Sequence, residues 1–121
     1  MKLLTTILVL FVATSHIGIM ILEMFYWDHE VGRKIFSMTV EQSAASAVLA
    51  MNQGLYNGFL AAGLLWGLIS TRFDIKVFFL LCVVVAGVFG AATARDSILF
   101  TQAMPAAIAL SVLFLANRKQ F

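Results

Sequence analysis

Four polar side chains that could hold a small ligand interrupt an otherwise apolar stretch at residues 50–60: Asn52, Gln53, Tyr56 and Asn57. On a helical wheel they fill one arc of about 140°. Three amides and a phenol carry more hydrogen-bond donors and acceptors than neighbouring helices usually satisfy. The surplus predicts bound water or a ligand. The alternative is that these groups only join helices, through hydrogen bonds of about 1 kcal/mol or less each.

Two ionisable residues, His16 and Glu23, lie in the apolar run at the N-terminus. Their spacing puts them on one helix face, but the rise of the helix separates them by roughly 10 Å, so they cannot touch. His16 could complete the polar site or be a hydrogen-bonded core residue. Glu23 lies one turn from Trp27, where it could exchange a proton or form an ion pair with Arg33 or Lys34.

A further amide, Gln102, precedes Pro105 in the last apolar run. Because Pro105 has no N–H, the carbonyl of Thr101 loses its helical donor. We therefore expect either a plain kink or a freed carbonyl that lines the same polar site beside Gln102.

Other kinds of site are not favoured by the sequence. His16, His29 and Glu23 lack a tight metal-ligand spacing, and Cys82 stands alone. No Ser-His-acid or phosphate-loop pattern is present, so we expect no cofactor and assign no catalytic residue. The basic residues are scattered over the ends of apolar segments, which argues against nucleic-acid binding.

The composition places these residues in a membrane. Of 121 residues, 62% are hydrophobic and 12% charged, with a mean hydropathy of +0.99, whereas a soluble surface needs roughly a quarter of its residues charged. With about 20 residues per crossing, four helices nearly exhaust the chain. We predict an all-α, single-domain polytopic membrane protein, an up-down bundle of four transmembrane helices at about residues 3–27, 40–70, 75–94 and 97–116.

The connections and the small residues support this bundle. We expect residues 28–43 to be one interfacial loop whose middle, residues 32–36, lies at the headgroup level. Thr39 and Gln42 predict a capping box at the start of the second helix. Residues 71–76 are too few for more than a tight turn, so the helices they join should be antiparallel neighbours. Six glycines are predicted to allow close helix packing: Gly54, Gly58, Gly63, Gly67, Gly87 and Gly90.

Charge predicts the orientation. Four crossings put Lys2, Arg72, Lys76, Arg118 and Lys119 on one side and Arg33, Lys34 and Arg95 on the other. By the positive-inside rule, this five-to-three bias favours cytoplasmic termini and leaves dual topology as the alternative. The N-terminus imitates a signal peptide, but its apolar run continues to Phe25, beyond the roughly 7 to 15 residues of a signal core, so we expect it to be retained.

Several strings resemble one family of small bacterial membrane proteins, the domain-of-unknown-function 1304 (DUF1304) family. They are Glu23-Met-Phe-Tyr-Trp27, Gly32-Arg33-Lys34, Asn52-Gln-Gly-Leu-Tyr-Asn-Gly58 and Gln102 before Pro105. The chain departs from the family pattern at Asp28-His29, in place of Thr-Pro, and at Ala103, in place of Gly. The resemblance implies a four-helix protein of the bacterial inner membrane and carries no activity with it.

Three functions remain open. The first is translocation of a small solute or ion by a homo-oligomer, with the polar arc as ligand and Glu23 or His16 exchanging a proton; small multidrug transporters are similar in architecture. The second is a lipid-binding protein or membrane enzyme, with His16 and Glu23 as acid and base and residues 32–34 holding the phosphate of a lipid or isoprenoid head group. The third is an assembly protein whose polar groups only fix helix register.

Overall fold

The computed structural model describes residues 1–118 and is all-α. In that range 87% of the residues are helical, and they form five helices. Lys119, one of the predicted topology charges, lies outside the described residues. The helices are α1 (Lys2–Phe25), α2 (Glu30–Phe36), α3 (Val40–Ile69), α4 (Phe73–Thr93) and α5 (Leu99–Ala116).

Three helices within residues 1–118 are long and apolar enough to cross a membrane: α1, α4 and α5. The α3 helix is the longest, at 30 residues, but it is not among these three. Its polar residues at positions 52, 53, 56 and 57 dilute its hydropathy. Length and hydropathy therefore support three of the four predicted crossings.

The sequence predicts one interfacial loop between α1 and α3. The structure shows that the middle of this connection is a short helix, α2. The His29 Nδ1 atom accepts a hydrogen bond from the Val31 amide at 3.1 Å and caps the start of this helix. The helix ends at Ser37, whose φ of 54° is left-handed, and the Met38 amide bonds back to the Arg33 carbonyl at 2.9 Å. The caps at His29 and Ser37 specify the ends of α2. Seven residues are too few to show a helical periodicity, so the sequence pattern does not predict this helix.

The predicted capping box at the start of α3 is confirmed. The Thr39 amide donates to Gln42 Oε1 at 2.9 Å, and the Gln42 amide donates to Thr39 Oγ1 at 3.1 Å. Two amides that the helix itself cannot satisfy thus find partners.

The helices fall into two compact units. One, residues Thr14–Ala61, contains the end of α1, all of α2 and the first part of α3. The other contains Met1–Ala13 and residues 62–118. The core of the second unit is apolar and is formed by Val9, Val12, Ala13, Leu64, Ile75, Leu80, Val83, Ala103, Ala106, Ala109 and Leu113.

Within the second unit, α4 packs antiparallel against α5. A Cβ added to Gly87 would lie 2.7 Å from the Ala103 amide nitrogen, and one added to Gly90 would lie 3.2 Å from Ile98. At the other end of the pair, the rings of Phe73 and Phe114 meet edge to face at 5.4 Å.

The end of α3 packs against the start of α4 in the same unit. A Cβ added to Gly63 would overlap the ring of Phe79, and one added to Gly67 would lie 2.7 Å from Lys76 Cγ. The turn between the helices passes through Thr71, whose φ is 53°. Because residue 63 lies against 79 and residue 67 against 76, the two helices run antiparallel, as the short turn predicts.

The first turn of α5 is wider than an α-helical turn. Leu99–Ala103 is π-helical, and the Met104 amide bonds to the Leu99 carbonyl five residues earlier. Pro105 follows in the next turn. Since Pro105 offers no amide to the Thr101 carbonyl, the helix opens here into a π turn, a possibility that the prediction of a kink did not include.

Candidate functional site

The unit Thr14–Ala61 contains a direct link between two of the predicted site residues. Asn57 Nδ2 on α3 donates a hydrogen bond of 2.6 Å to Glu23 Oε1 on α1. The same nitrogen donates to the Gln53 carbonyl at 3.1 Å. Both side chains are only partly exposed. A carboxyl group within an apolar helix is thereby held by an amide 34 residues away.

Two glycines bring these side chains within reach of each other. A Cβ added to Gly54 would lie 3.1 Å from both Glu23 Cβ and the Met20 carbonyl oxygen, and one added to Gly58 would lie 2.7 Å from Met20 Sδ. Gly54 is buried. The glycine face of α3 therefore lies directly on α1, and Asn57 projects from the edge of that contact towards Glu23.

The other three members of the polar arc lie on the surface of the single chain. Asn52, Gln53 and Tyr56 are exposed, Tyr56 at 53%. Asn52 Nδ2 donates to the Val48 carbonyl at 3.2 Å. Within one chain, the four polar residues do not all face an enclosed interior, as the sequence predicts they should. Gly54 and Gly58 occupy the face of α3 that meets α1, so most of the polar arc lies next to this contact and is exposed.

His16 and Gln102 occupy different surroundings. His16 is 1% exposed and shares its face of α1 with Glu23, two turns away. Gln102 belongs to the other unit, where it is partly exposed in the π turn of α5.

The predicted counterion of Glu23 has a different partner. Arg33 Nη1 lies 3.1 Å from Asp28 Oδ1, and Ser43 Oγ donates to the same carboxylate oxygen at 2.8 Å. Ser43 is fully buried, whereas Lys34 is exposed. The sequence offers Arg33 or Lys34 as the counterion of Glu23. The structure pairs Arg33 with Asp28 instead, because the turn into α2 brings these two residues together.

A second contact joins the same connection to α3. Trp27 Nε1 donates to Ser46 Oγ at 2.9 Å, and the Trp27 ring lies 4.8 Å from that of Phe36. Ser43 and Ser46 were missed at the sequence level. Their three-residue spacing on the first turns of a helix was the available signal, because it places both hydroxyls on one face.

The chemistry available at Glu23 and Asn57 is that of hydrogen bonding and charge. Within residues 1–118, no three His, Cys, Asp or Glu side chains cluster as a metal site. Cys82 is partly exposed on α4, and its neighbours Phe78, Leu81, Val85, Ala86 and Phe89 form an apolar groove. The polar groups that meet between α1 and α3 are a side-chain amide and one carboxyl group, which act by donating and accepting hydrogen bonds.

Comparison with known proteins places the chain in a family. The family model "Protein of unknown function (DUF1304)" matches residues 10–114. The chain belongs to the DUF1304 family. This DUF1304 member is also similar to "Uncharacterized protein YpaA" of Lactococcus lactis subsp. lactis (strain IL1403), with 33% identity over 114 residues, which cover 91% of this chain and 96% of that protein. No solved structure matches this DUF1304 chain.

Proposed function

We propose that this DUF1304 protein carries a small polar solute or ion across the cell membrane as a homo-oligomer. The observation that supports this best is the Glu23 carboxyl group, held by Asn57 inside α1. A charged residue costs about 2.5 to 3.5 kcal/mol at the bilayer centre on insertion scales, and less towards the interface, where Glu23 lies one turn from Trp27. Such groups in membrane helices typically mark the paths of solutes and ions.

The proposal makes α3 the fourth crossing of an up-down bundle. Its 30 residues correspond to about 45 Å of helix, more than the roughly 30 Å of hydrocarbon. The amides that lower its hydropathy then serve the site. With four crossings, Lys2, Arg72, Lys76 and Arg118 lie on the cytoplasmic side with both termini.

A second copy of the chain would cover the exposed part of the polar arc. Asn52, Gln53 and Tyr56 are exposed on the single chain, and polar side chains in a membrane are buried against other helices or a water-filled cavity. Association through this surface would surround the arc with protein and create a polar path between the copies. Glu23 and Asn57 would then lie at the edge of that path.

The contacts of Arg33 favour translocation over action on a lipid head group. A phosphate-holding loop needs an available cation, and the Arg33 guanidinium is already beside Asp28 and Ser43. Lys34 alone would have to hold the phosphate. The polar arc, in contrast, has groups exposed for a ligand.

Transport can be tested with purified protein in liposomes. The assay measures uptake of a panel of small ions and polar solutes, each with and without a pH gradient, by wild type, Glu23→Gln and Asn57→Ala. Glu41→Gln is the matched control, since Glu41 is exposed in the first turn of α3.

We expect uptake of at least one solute by wild type and by the control. Glu23→Gln should lower it at least tenfold. Absence of uptake for every member of the panel, with correctly folded protein in the liposomes, would contradict the proposal and favour an assembly role.

A further inference from the structure

We infer that the ligand of the Glu23–Asn57 site is a monovalent cation, an inference that deepens the proposed function and rests on it. The amide nitrogens of Asn52 and Asn57 are already engaged within the chain, and acceptor oxygens remain. Asn57 provides the first step. A primary amide has two N–H donors, and Asn57 directs its nitrogen to Glu23 Oε1 and to the Gln53 carbonyl. Its remaining group is the Oδ1 oxygen, which only accepts.

The neighbouring side chains also have hydrogen-bond acceptors left over and few donors. A Glu23 carboxylate accepts hydrogen bonds through two oxygens, and Asn57 engages one of them, Oε1. Asn52 uses its nitrogen towards the Val48 carbonyl, which leaves its oxygen as an acceptor. Oxygen acceptors with a negative charge favour a cation or a strong hydrogen-bond donor over an anion.

Tyr56 adds an aromatic surface to this set. It lies on the same arc of α3, its side chain is exposed, and its ring is 6.2 Å from that of Phe59. A cation within about 6 Å of an aromatic ring face is attracted by the ring quadrupole. The hydroxyl of Tyr56 and the side-chain amide of Gln53 can rotate and offer acceptors as readily as donors.

The positive charges of the unit lie elsewhere. Neither residues 14–25 of α1 nor residues 40–61 of α3 contain a Lys or Arg. Arg33, on α2, is engaged by Asp28. An anion at the site would therefore meet a carboxyl group with no Lys or Arg in these two helix segments to balance it, whereas one monovalent cation would neutralise a Glu23 carboxylate.

The ligand class can be tested by binding and by flux in parallel. Four probes are sufficient: rubidium and tetramethylammonium as cations of two sizes, methanesulfonate as an anion, and erythritol as a neutral solute. Calorimetry on the detergent-solubilised protein measures binding, and liposomes measure flux. The proteins are wild type, Glu23→Gln and the control Glu41→Gln.

We expect wild type and control to bind at least one of the two cations at least tenfold more tightly than methanesulfonate or erythritol. Glu23→Gln, which keeps the shape and an oxygen acceptor for Asn57, should lose that preference. Asn52→Asp adds an acidic group on the exposed arc, away from the helix contact, and should tighten cation binding severalfold.

Cation selectivity and translocation are overturned by different results. Cation binding without flux would preserve the inference and overturn translocation. Tighter binding or faster flux of methanesulfonate or erythritol would overturn the inference and leave translocation in place. Failure of all four probes to bind to folded protein would overturn the inference as well.

Discussion

Replacing Gly87 with alanine should force α4 and α5 apart. A Cβ at this position would lie 2.7 Å from the Ala103 nitrogen, 2.8 Å from its Cβ and 2.9 Å from its Cα, whereas carbon atoms in contact prefer about 3.5 to 4.0 Å. Two of the three atoms are backbone, so no side-chain rotation relieves the overlap. The helices must separate by roughly 1 Å at this point, which forfeits a quarter to a half of each nearby dispersion contact.

The cost of this separation can be isolated with a matched glycine. Overpacking costs about 1 to 3 kcal/mol, while alanine is more favourable than glycine in a helix by about 1 kcal/mol. Gly18→Ala measures the helix-propensity gain alone, because a Cβ at Gly18 meets nothing within 4 Å. The difference between the two variants should therefore be about 1 to 3 kcal/mol, with Gly87→Ala the less stable.

The assay is unfolding by increasing sodium dodecyl sulfate in mixed micelles, followed by far-ultraviolet circular dichroism. Each variant is compared with wild type at the same detergent composition. Equal free energies of unfolding for Gly87→Ala and Gly18→Ala would refute the reasoning, since the close approach of Gly87 to Ala103 would then carry no energetic weight.

Two further substitutions test the connection between α1 and α3. Thr39→Ala removes one half of the capping box with Gln42 and should cost about 1 kcal/mol, seen as faster hydrogen exchange of the first amides of α3; unchanged exchange would count against the cap. Gly32→Ala would place a Cβ onto the Tyr26 carbonyl oxygen, so α2 should detach and its amides should lose protection, whereas an undisturbed α2 would show that this contact is not needed.

Local features were the ones that the sequence could predict. The capping box depends on two residues three apart, Thr39 and Gln42, and their types alone specify the reciprocal hydrogen bonds. The apolar runs of α1, α4 and α5 predict long helices because a span needs only length and hydropathy. No distant part of the chain is needed for either inference.

Features that depend on helix register could not be predicted. Glu23 meets Asn57 because Gly54 and Gly58 set how α3 lies along α1, and a single sequence does not contain that register. The sequence offers Arg33 or Lys34 as the counterion of Glu23, whereas the turn into α2 brings Arg33 to Asp28. The π turn of α5 likewise depends on how the helix accommodates a missing amide.

The length of α3 has a consequence for where its polar residues meet the bilayer. With α3 as a crossing, about 45 Å of helix in roughly 30 Å of hydrocarbon leaves about ten residues outside the hydrocarbon. The early turns, which contain Glu41, Gln42, Ser43 and Ser46, suit the headgroup layer best. Asn52 and Gln53 then fall near the boundary of the hydrocarbon and Asn57 about one turn deeper, so a solute could exchange its hydration shell for the amides one step at a time as it enters.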